Sequence, residues 1–257
     1  MNQAEAGELR SLLASARSWL EECLEEGLDQ IERVVPLAPV PCAPDVLKPA
    51  PRTTPSEGAG EVQSARETSS LRPSLEDVRT TLGECTRCAL SEKRTQIVFG
   101  DGNPSADILF IGEGPGEQED LRGLPFVGRA GELLTQMIEK GMGLARQDVY
   151  ICNIVKCRPP GNRNPLPPEV SACRPFLDGQ IDAVDPRVIV SLGKPAASLL
   201  LGRDVAITRL RGTWHEYRGI PLMPTLHPAY VLRQYTPENR RLVWEDLKSA
   251  LARSREN

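Results

Sequence analysis

The chain has 257 residues, of which 40% are hydrophobic, and a net charge of -4. These values fit one domain of ordinary size with an extension, or two small domains, with enough apolar residues for a packed core. No apolar run approaches the roughly 20 residues that span a membrane, and the N-terminus lacks the basic and apolar regions of a signal peptide. We therefore expect a cytoplasmic protein that contacts no membrane.

The acidic charge is concentrated at the N-terminal end. Residues 1–72 contain 7 Lys and Arg against 12 Asp and Glu, whereas the rest of the chain contains 24 against 23. A nearly neutral body can still carry a local basic groove for a polyanion.

Residues 1–35 place apolar side chains at helical spacing, with glutamates on the opposite face. This pattern predicts an acidic amphipathic helix, which either packs on its own domain or docks on a partner protein. Residues 36–72 contain seven prolines and then a stretch rich in Gly, Ser, Thr and Glu. That composition is typical of a disordered linker, and a linker favours the partner hypothesis. The compact domain is expected at 73–257, opening with a helix capping box at Ser74 and Asp77.

Four short apolar runs alternate with helical patterns in this domain. The expected strands are 108–111, 149–152, 188–192 and 222–225, and the expected helices are 129–140, 168–184, 195–201 and 238–253. Strands separated by helices predict an α/β fold whose parallel sheet is flanked by helices.

The first strand leads into a glycine-rich turn at 112–116 (GEGPG), an acidic segment, and then residues 125–128 (PFVG) before a helix. Pockets in open α/β sheets form beyond the carboxyl ends of strands, so this stretch predicts a ligand site. The stretch does not fit the dinucleotide fingerprint, because Pro115 and the acidic run would lie where the negatively charged pyrophosphate binds. It does not fit a Walker A loop either, because it lacks the Gly-Lys-Ser/Thr. The alternative is a common strand-to-helix turn that binds nothing.

Seven cysteines without a secretion signal favour a metal or cluster site over disulfides. Cys85 and Cys88 form a CxxC pair, and Cys157 and Cys173 form a second, wider pair. Two pairs can hold zinc or an iron–sulfur cluster, and the spacing alone favours zinc, because the wide gap is not a ferredoxin pattern.

Several polar or aromatic residues have both an ordinary and a functional interpretation. Taken singly, Phe126 is typical of a core aromatic, Asn153 of a turn residue and His227 of a structural histidine. The segment 190–195 (VSLGKP) is either a plain turn or a phosphate site at a helix N-terminus, with Lys194 adding positive charge.

Three features together resemble one family, the iron–sulfur uracil-DNA glycosylases of family 4. They are residues 112–134 (GEGPGEQEDLRGLPFVGRAGELL), the four cysteines with a KCRPP segment, and residues 225–233 (TLHPAYVLR). The resemblance covers roughly residues 74–253 and leaves out 1–72. It implies a three-layer α/β/α fold with a central, mainly parallel four-stranded sheet. It also implies an enzyme that flips uracil out of single- and double-stranded DNA and hydrolyses its glycosidic bond, which initiates base-excision repair, without a divalent metal.

The resemblance assigns roles to individual residues. It reverses the zinc preference and implies a 4Fe–4S cluster on Cys85, Cys88, Cys157 and Cys173. Phe126 is expected to stack on uracil, Asn153 to read its edge, and His227 to donate a hydrogen bond to a uracil carbonyl as the base departs. The mechanism we expect is dissociative, with the glycosidic bond breaking before water attacks.

The remaining site residues flank this trio. Another branch of the superfamily has a water-activating Asp where this chain has Gly114, so Glu113 is the residue expected to position water, and Glu119 is expected to brace the pocket. The expected DNA contacts are Arg158, Arg163, Lys194, Pro228, Ala229, Tyr230 and Arg233. We expect a monomer whose partners are uracil-containing DNA and a protein bound through the N-terminal helix.

The sequence leaves two alternative functions. A covalent uracil-DNA trapping protein of the same superfamily carries a Gln in the glycine motif and an extra histidine, whereas this chain has Gly114 and two histidines in all. A DNA-binding or scaffold protein would keep the fold without the catalysis and tether partners through the acidic helix.

Overall fold

The computed structural model describes residues 72–256. The predicted helix at 1–35 and nearly all of the predicted linker at 36–72 lie outside the described residues. In the described part, one sheet has the strand order β1-β3-β2-β4-β6-β5. The strands are β1 (Asp101–Gly102), β2 (Ile108–Gly112), β3 (Tyr150–Asn153), β4 (Val188–Leu192), β5 (His215–Tyr217) and β6 (Ile220–Thr225).

The four predicted strands form the parallel centre of this sheet. Strand β2 pairs in parallel with β3 and with β4, and β4 pairs in parallel with β6. The predicted mainly parallel α/β fold is therefore confirmed. Strands β1 and β5 were not predicted; they add antiparallel edges to β3 and β6, which makes six strands instead of four within residues 72–256.

Helices connect the strands. They are α1 (Leu75–Leu82), α2 (Glu117–Arg122), α3 (Arg129–Gln136), α4 (Pro167–Val184), α5 (Lys194–Leu201), α6 (Ile207–Leu210), α7 (Pro228–Arg233) and α8 (Pro237–Ser254). Short 3-10 turns occupy Ala89–Glu92, Arg146–Asp148 and Pro160–Asn162. The helix expected at 129–140 ends at Gln136 and continues as a wider π turn over Met137–Met142. Among residues 72–256, no helix has the length and apolarity to cross a membrane.

The sheet separates two hydrophobic cores, because successive strand side chains point to opposite faces. Ile108 and Phe110 face α3 and α8, whereas Leu109 and Ile111 face α4 and α5. Both faces of the central strands are thus covered, which explains their continuous apolar runs. Burial of each such Leu or Ile side chain contributes about 1.5–3 kcal/mol. This is the predicted α/β/α layering.

Helix α1 begins at the predicted capping box. The Ser74 amide donates to Asp77 Oδ2 at 2.8 Å, and the Asp77 amide donates to Ser74 Oγ at 3.1 Å. Val78 and Leu82 then pack with Phe99 and with Phe176 of α4 in a small separate core. This contact holds the start of the domain, and the CxxC segment that follows it, against α4.

The strand order changes direction at β2. From β2 the chain passes to β3 on one side, then crosses to β4 on the other side. A crevice forms outside the carboxyl ends of the strands at such a switch point, and ligands bind there. The residues that end or follow these strands are Gly112, Asn153 and Gly193, and His227 follows β6.

Candidate active site

A cavity of about 520 Å³ opens at this switch point. Its volume is in the range of sites that enclose a small molecule or a single base. Most of the predicted base- and DNA-binding residues line it: Glu113, Gly114, Glu119, Phe126, Asn153, Arg163, Lys194, His227, Ala229, Tyr230 and Arg233. Arg158 and Pro228 do not.

Asn153 ends β3 with its carboxamide at the cavity. The residue is 1% exposed, and neither Nδ2 nor Oδ1 has a hydrogen-bond partner among the described residues. Leaving a buried polar group unpaired costs about 1–3 kcal/mol, so an amide with both ends unpaired at a cavity wall indicates a ligand with complementary polar atoms.

Phe126 closes the cavity beside Asn153 in a strained backbone conformation. Its φ is 52°, a left-handed value that non-glycine residues rarely adopt. Its ring lies 5.7 Å from the His227 ring, centroid to centroid, with 33° between the planes. A Cβ placed on Gly112 would lie 2.6 Å from Phe126 Cζ and would also clash with Asn153 Oδ1. Gly112 therefore lets the aromatic ring and the amide lie side by side.

Two polar contacts hold the chain on either side of Phe126. One carboxylate oxygen of Glu119 accepts the backbone amides of Val127 and Gly128, each at 2.8 Å. Arg146 donates to the carbonyl of Pro125 at 2.7 Å. Such contacts are what a residue held at an unfavourable φ requires. Glu119 thus holds the backbone that follows Phe126, and Arg146 holds the backbone that precedes it.

His227 caps α7 and has a defined tautomer. Its Nδ1 accepts the Ala229 amide at 3.1 Å, so the ring proton is carried by Nε2. Burial, reinforced by the nearby Arg233 cation, lowers the pKa of His227 to about 4. At neutral pH the imidazole is therefore an uncharged donor through Nε2–H.

Glu113 follows β2 and also faces the cavity. Burial raises the pKa of its carboxyl group to about 7. A carboxyl group with this pKa exchanges a proton near neutral pH, which is the property expected of a general base. Gly114 beside it carries no side chain that could take this role.

The cations near the cavity differ in their partners. Arg163 pairs with both carboxylate oxygens of the buried Glu169, at 2.9 and 2.7 Å. The Lys194 ammonium lies 3.0 Å from a carboxylate oxygen of Asp204. Arg158 Nε donates to Asn162 Oδ1 at 2.8 Å. Pro228 is buried as the first residue of α7. Arg233, at the end of α7, is exposed.

The four predicted cluster ligands lie together at a second, very small cavity next to α1. Cys85, Cys88, Cys157 and Cys173 all line it, and an Arg94 guanidinium nitrogen lies 3.5 Å from Cys157 Sγ. Within residues 72–256, no three His, Cys, Asp or Glu side chains have the spacing to hold a single metal ion. Four thiols around one space, close to a cation, form a donor set that fits a group larger than one ion.

Some residues of the site carry only a weak signal in the sequence. Gly131 lies inside α3, and a Cβ there would be 2.7 Å from Phe126 Cα and nearer still to its carbonyl group. A glycine inside a helical pattern is such a signal, because it often marks a close backbone approach. Ile207 and Thr208 of α6 form another wall of the cavity. Their short helix has no motif that would indicate it.

Comparisons with known proteins give one consistent result. The family model described as the uracil DNA glycosylase superfamily matches residues 99–248. A type-4 uracil-DNA glycosylase from Thermotoga maritima is 49% identical over 178 residues, which cover 68% of this chain and 92% of that protein. Proteins of the same name from Sulfurisphaera tokodaii and Saccharolobus solfataricus are 45% and 43% identical, each over 68% of this chain and over 82% and 83% of their own lengths. On these grounds the chain belongs to the type-4 uracil-DNA glycosylases.

Proposed function

We propose that this protein removes uracil from DNA by hydrolysing the bond between the base and deoxyribose. The observation that carries the proposal is the buried Asn153 carboxamide, whose donor and acceptor both lack a partner at the wall of a base-sized cavity. An enzyme that acts on a base must flip it out of the stack and bind it by its edge and its face.

The cavity offers both kinds of contact to a flipped uracil. The Asn153 oxygen accepts the uracil N3–H, and its NH₂ group donates to an adjacent carbonyl oxygen. Cytosine presents the opposite arrangement, with an acceptor at N3 and a donor at the neighbouring amino group, so it pairs only after the carboxamide turns by 180°. A fixed orientation of the amide is therefore what rejects cytosine. The Phe126 ring, side by side with Asn153, stacks on the face of the base.

His227 stabilises the departing base. As the glycosidic bond breaks, negative charge develops on uracil, and the Nε2–H of His227 donates to the carbonyl that carries this charge. A preorganised donor of this kind typically accounts for about 10²–10³ in rate. The Ala229 amide holds the tautomer with the proton on Nε2, so the donor is in place before the reaction begins.

Glu113 supplies the second half of the reaction. In its carboxylate form it orients or polarises the water that attacks the oxocarbenium-like sugar left behind. Because this sugar is already a strong electrophile, activation of water contributes less than stabilisation of the leaving base.

A rim of polar and cationic residues serves the DNA strand. Lys194 and the N-terminus of α5 bind a phosphate, with Arg158 and Arg233 adding positive charge. Arg163 contacts the strand while it stays paired with Glu169. Ala229 and Tyr230 occupy the space that the flipped nucleotide leaves, and the buried Pro228 begins the helix that presents them. Both single- and double-stranded DNA are accepted, and no divalent metal is required.

Cys85, Cys88, Cys157 and Cys173 hold a 4Fe–4S cluster. Each iron of such a cluster takes one thiolate, so the four sulfurs need not converge on one point as the ligands of zinc do. When bound, the cluster cross-links the segment after α1, the loop after β3 and α4. The wider organisation stays a prediction: a partner-binding helix at 1–35, a linker at 36–72, and a monomeric cytoplasmic enzyme formed by 73–257.

The proposal is tested by uracil release from a labelled single-stranded oligonucleotide, using iron-loaded full-length protein beside His227→Ala. We expect release by the first and a loss of about 10²-fold or more in the second. An oligonucleotide with cytosine in place of uracil is the control and should stay intact. DNA binding without any release by the iron-loaded protein would instead favour the scaffold alternative.

A further inference from the structure

Lys156 is a fully buried lysine that the proposed reaction has not used. The residue is 0% exposed, although its position between two site segments in the sequence suggests a basic surface. Its ammonium donates to the Asn153 backbone carbonyl at 2.7 Å and to the side-chain oxygen of Gln180. Gln180 is equally buried and donates in turn to the Phe99 carbonyl at 2.9 Å. The ammonium is thus fixed between the end of β3 and α4.

The charge on this ammonium has no carboxylate partner among the ion pairs of residues 72–256. Its two hydrogen-bond acceptors are neutral, and a buried cation without an anion carries a large desolvation penalty. Lys156 also lines the small cavity that the four cysteines surround. Four thiolates make an iron–sulfur cluster in that space net negative, so it provides the missing counter-charge.

We propose that Lys156 is a positioning residue that couples the iron–sulfur site to the base pocket, and this rests on the proposed function. On one side, Lys156 lines the anionic cluster site. On the other side, its ammonium donates to the backbone carbonyl of Asn153, the residue that reads uracil. Lys156 therefore fixes the backbone of Asn153 through this carbonyl.

The geometry around Asn153 makes such fixing important. Its carboxamide makes no hydrogen bond that could hold it in place, and Gly112 leaves no room for a larger neighbour. The Lys156 backbone is itself held, because its carbonyl accepts the Val98 amide at 2.8 Å. A displacement of about 1 Å at a substrate-binding group can cost about 10²-fold in rate. Loss of the Lys156 contact removes the one side-chain hydrogen bond to this carbonyl in the described structure.

The test compares three variants of the full-length, iron-loaded protein. Lys156→Met removes the charge at similar length, Gln180→Met removes an acceptor but keeps the charge, and Lys248→Met removes an exposed lysine on α8 as the control. Three quantities are measured: the single-turnover rate of uracil release, the Kd for an oligonucleotide with thymine at the target position, and the reduction potential of the cluster by protein-film voltammetry.

We expect Lys156→Met to release uracil about 10–100-fold more slowly with an unchanged Kd, as is usual when the support of a functional residue is lost. Its cluster potential should become more negative, because a cation near the cluster favours the added electron. Gln180→Met should slow release with little change in potential, and Lys248→Met should match the unaltered protein. A merely structural role for Lys156 predicts no change in potential.

Three results would overturn the coupling: an unchanged rate in both buried variants, an unchanged potential in Lys156→Met, or a loss of rate that only follows lost iron. If Lys156→Met does not retain iron, the rate of uracil release by Gln180→Met at full iron content is the test. A slower rate supports the coupling, and an unchanged rate overturns it. If the unaltered protein releases no uracil, the proposed function fails. The potentials then still decide whether Lys156 lies in the field of the cluster.

Discussion

Glu113 and His227 line one cavity, and burial disfavours the charged form of both. It raises the pKa of Glu113 to about 7 and lowers that of His227 to about 4. Between these two values both groups are predominantly neutral, so neither of them places a charge in the cavity. Of these two groups, only Glu113 changes charge near neutral pH. The pH dependence of the rate of uracil release should therefore follow the titration of Glu113.

We expect the single-turnover rate of uracil release to rise with pH through about 7, as Glu113 loses its proton. Glu113→Gln should be slower and show no such rise. His227 should add no step in this range, because it is already neutral. The rates of both proteins from pH 5.5 to 8.5 provide the measurement. Identical profiles for the two proteins would remove Glu113 from the reaction.

The same carboxyl group affects folding. The folded protein holds the Glu113 proton more tightly than the unfolded chain, so between pH 4.5 and about 7 the free energy of unfolding falls as pH rises. Glu113→Gln lacks this fall and should have the higher urea midpoint above pH 7.

The Glu113→Gln protein should also lose less of its rate of uracil release than a protein in which both His227 and Asn153 are replaced.

At the scale of elements, α3 and the PFVG turn at 125–128 are in direct backbone contact. Gly131 allows this contact, because a side chain there would overlap the Phe126 backbone. The unfavourable φ of Phe126 costs about 1–3 kcal/mol of backbone strain. The contacts of Glu119 and Arg146 and the packing of α3 together offset this cost. The position of the Phe126 ring is thus decided by the packing of a helix.

Gly131→Ala should displace the turn and lower both activity and stability. We expect uracil release to fall at least about 10-fold, and the free energy of unfolding to fall by about 1–3 kcal/mol, as in other overpacked sites. Gly128→Ala is the matched control, since a Cβ there meets no atom closer than 3.4 Å. Single-turnover rates and urea unfolding measure both effects. A Gly131→Ala protein as active as Gly128→Ala would contradict the packing account.

The elements that could be predicted from the sequence are those with a strong local pattern. The strand at 188–192 was predicted with its observed bounds, because all its residues are buried and most are β-branched. The edge strands are too short and too polar for that pattern. The motifs also identified most of the cavity wall. The burial of Lys156 and the φ of Phe126 could not be predicted, because they depend on residues distant in sequence. The Arg163–Glu169 pair joins residues only six apart, but no local pattern indicates how the loop between them folds.

At the scale of the whole molecule, the cysteine site joins segments that are far apart in the sequence. Helix α1 packs on α4 through a small core, and its Leu75 also packs against one of the two cores that cover the sheet. The CxxC pair lies directly after this helix. A group bound to all four cysteines therefore anchors the N-terminal part of the domain to the centre.

Removal of iron by a chelator should lower the melting temperature and loosen α1 first. A ligand that binds only the folded state stabilises it, so its loss destabilises the domain. Hydrogen exchange should increase at α1 and the loop after β3, and remain slow at β4 and α8. Cys152→Ala, at a buried cysteine that does not line this cavity, should retain iron, whereas Cys85→Ser should not. Equal protection of α1 with and without iron would contradict this role.

The shared contact at Gly112 has an evolutionary consequence. One hydrogen atom, in place of a side chain, separates the Phe126 ring, proposed to stack on the base, from the Asn153 amide, proposed to read its edge. A substitution that changes the shape of either group also shifts the other, so the two properties cannot be selected independently. A descendant with a different base preference must therefore acquire concerted changes at positions 112, 126 and 153, and single-step variants between the two should bind neither base well.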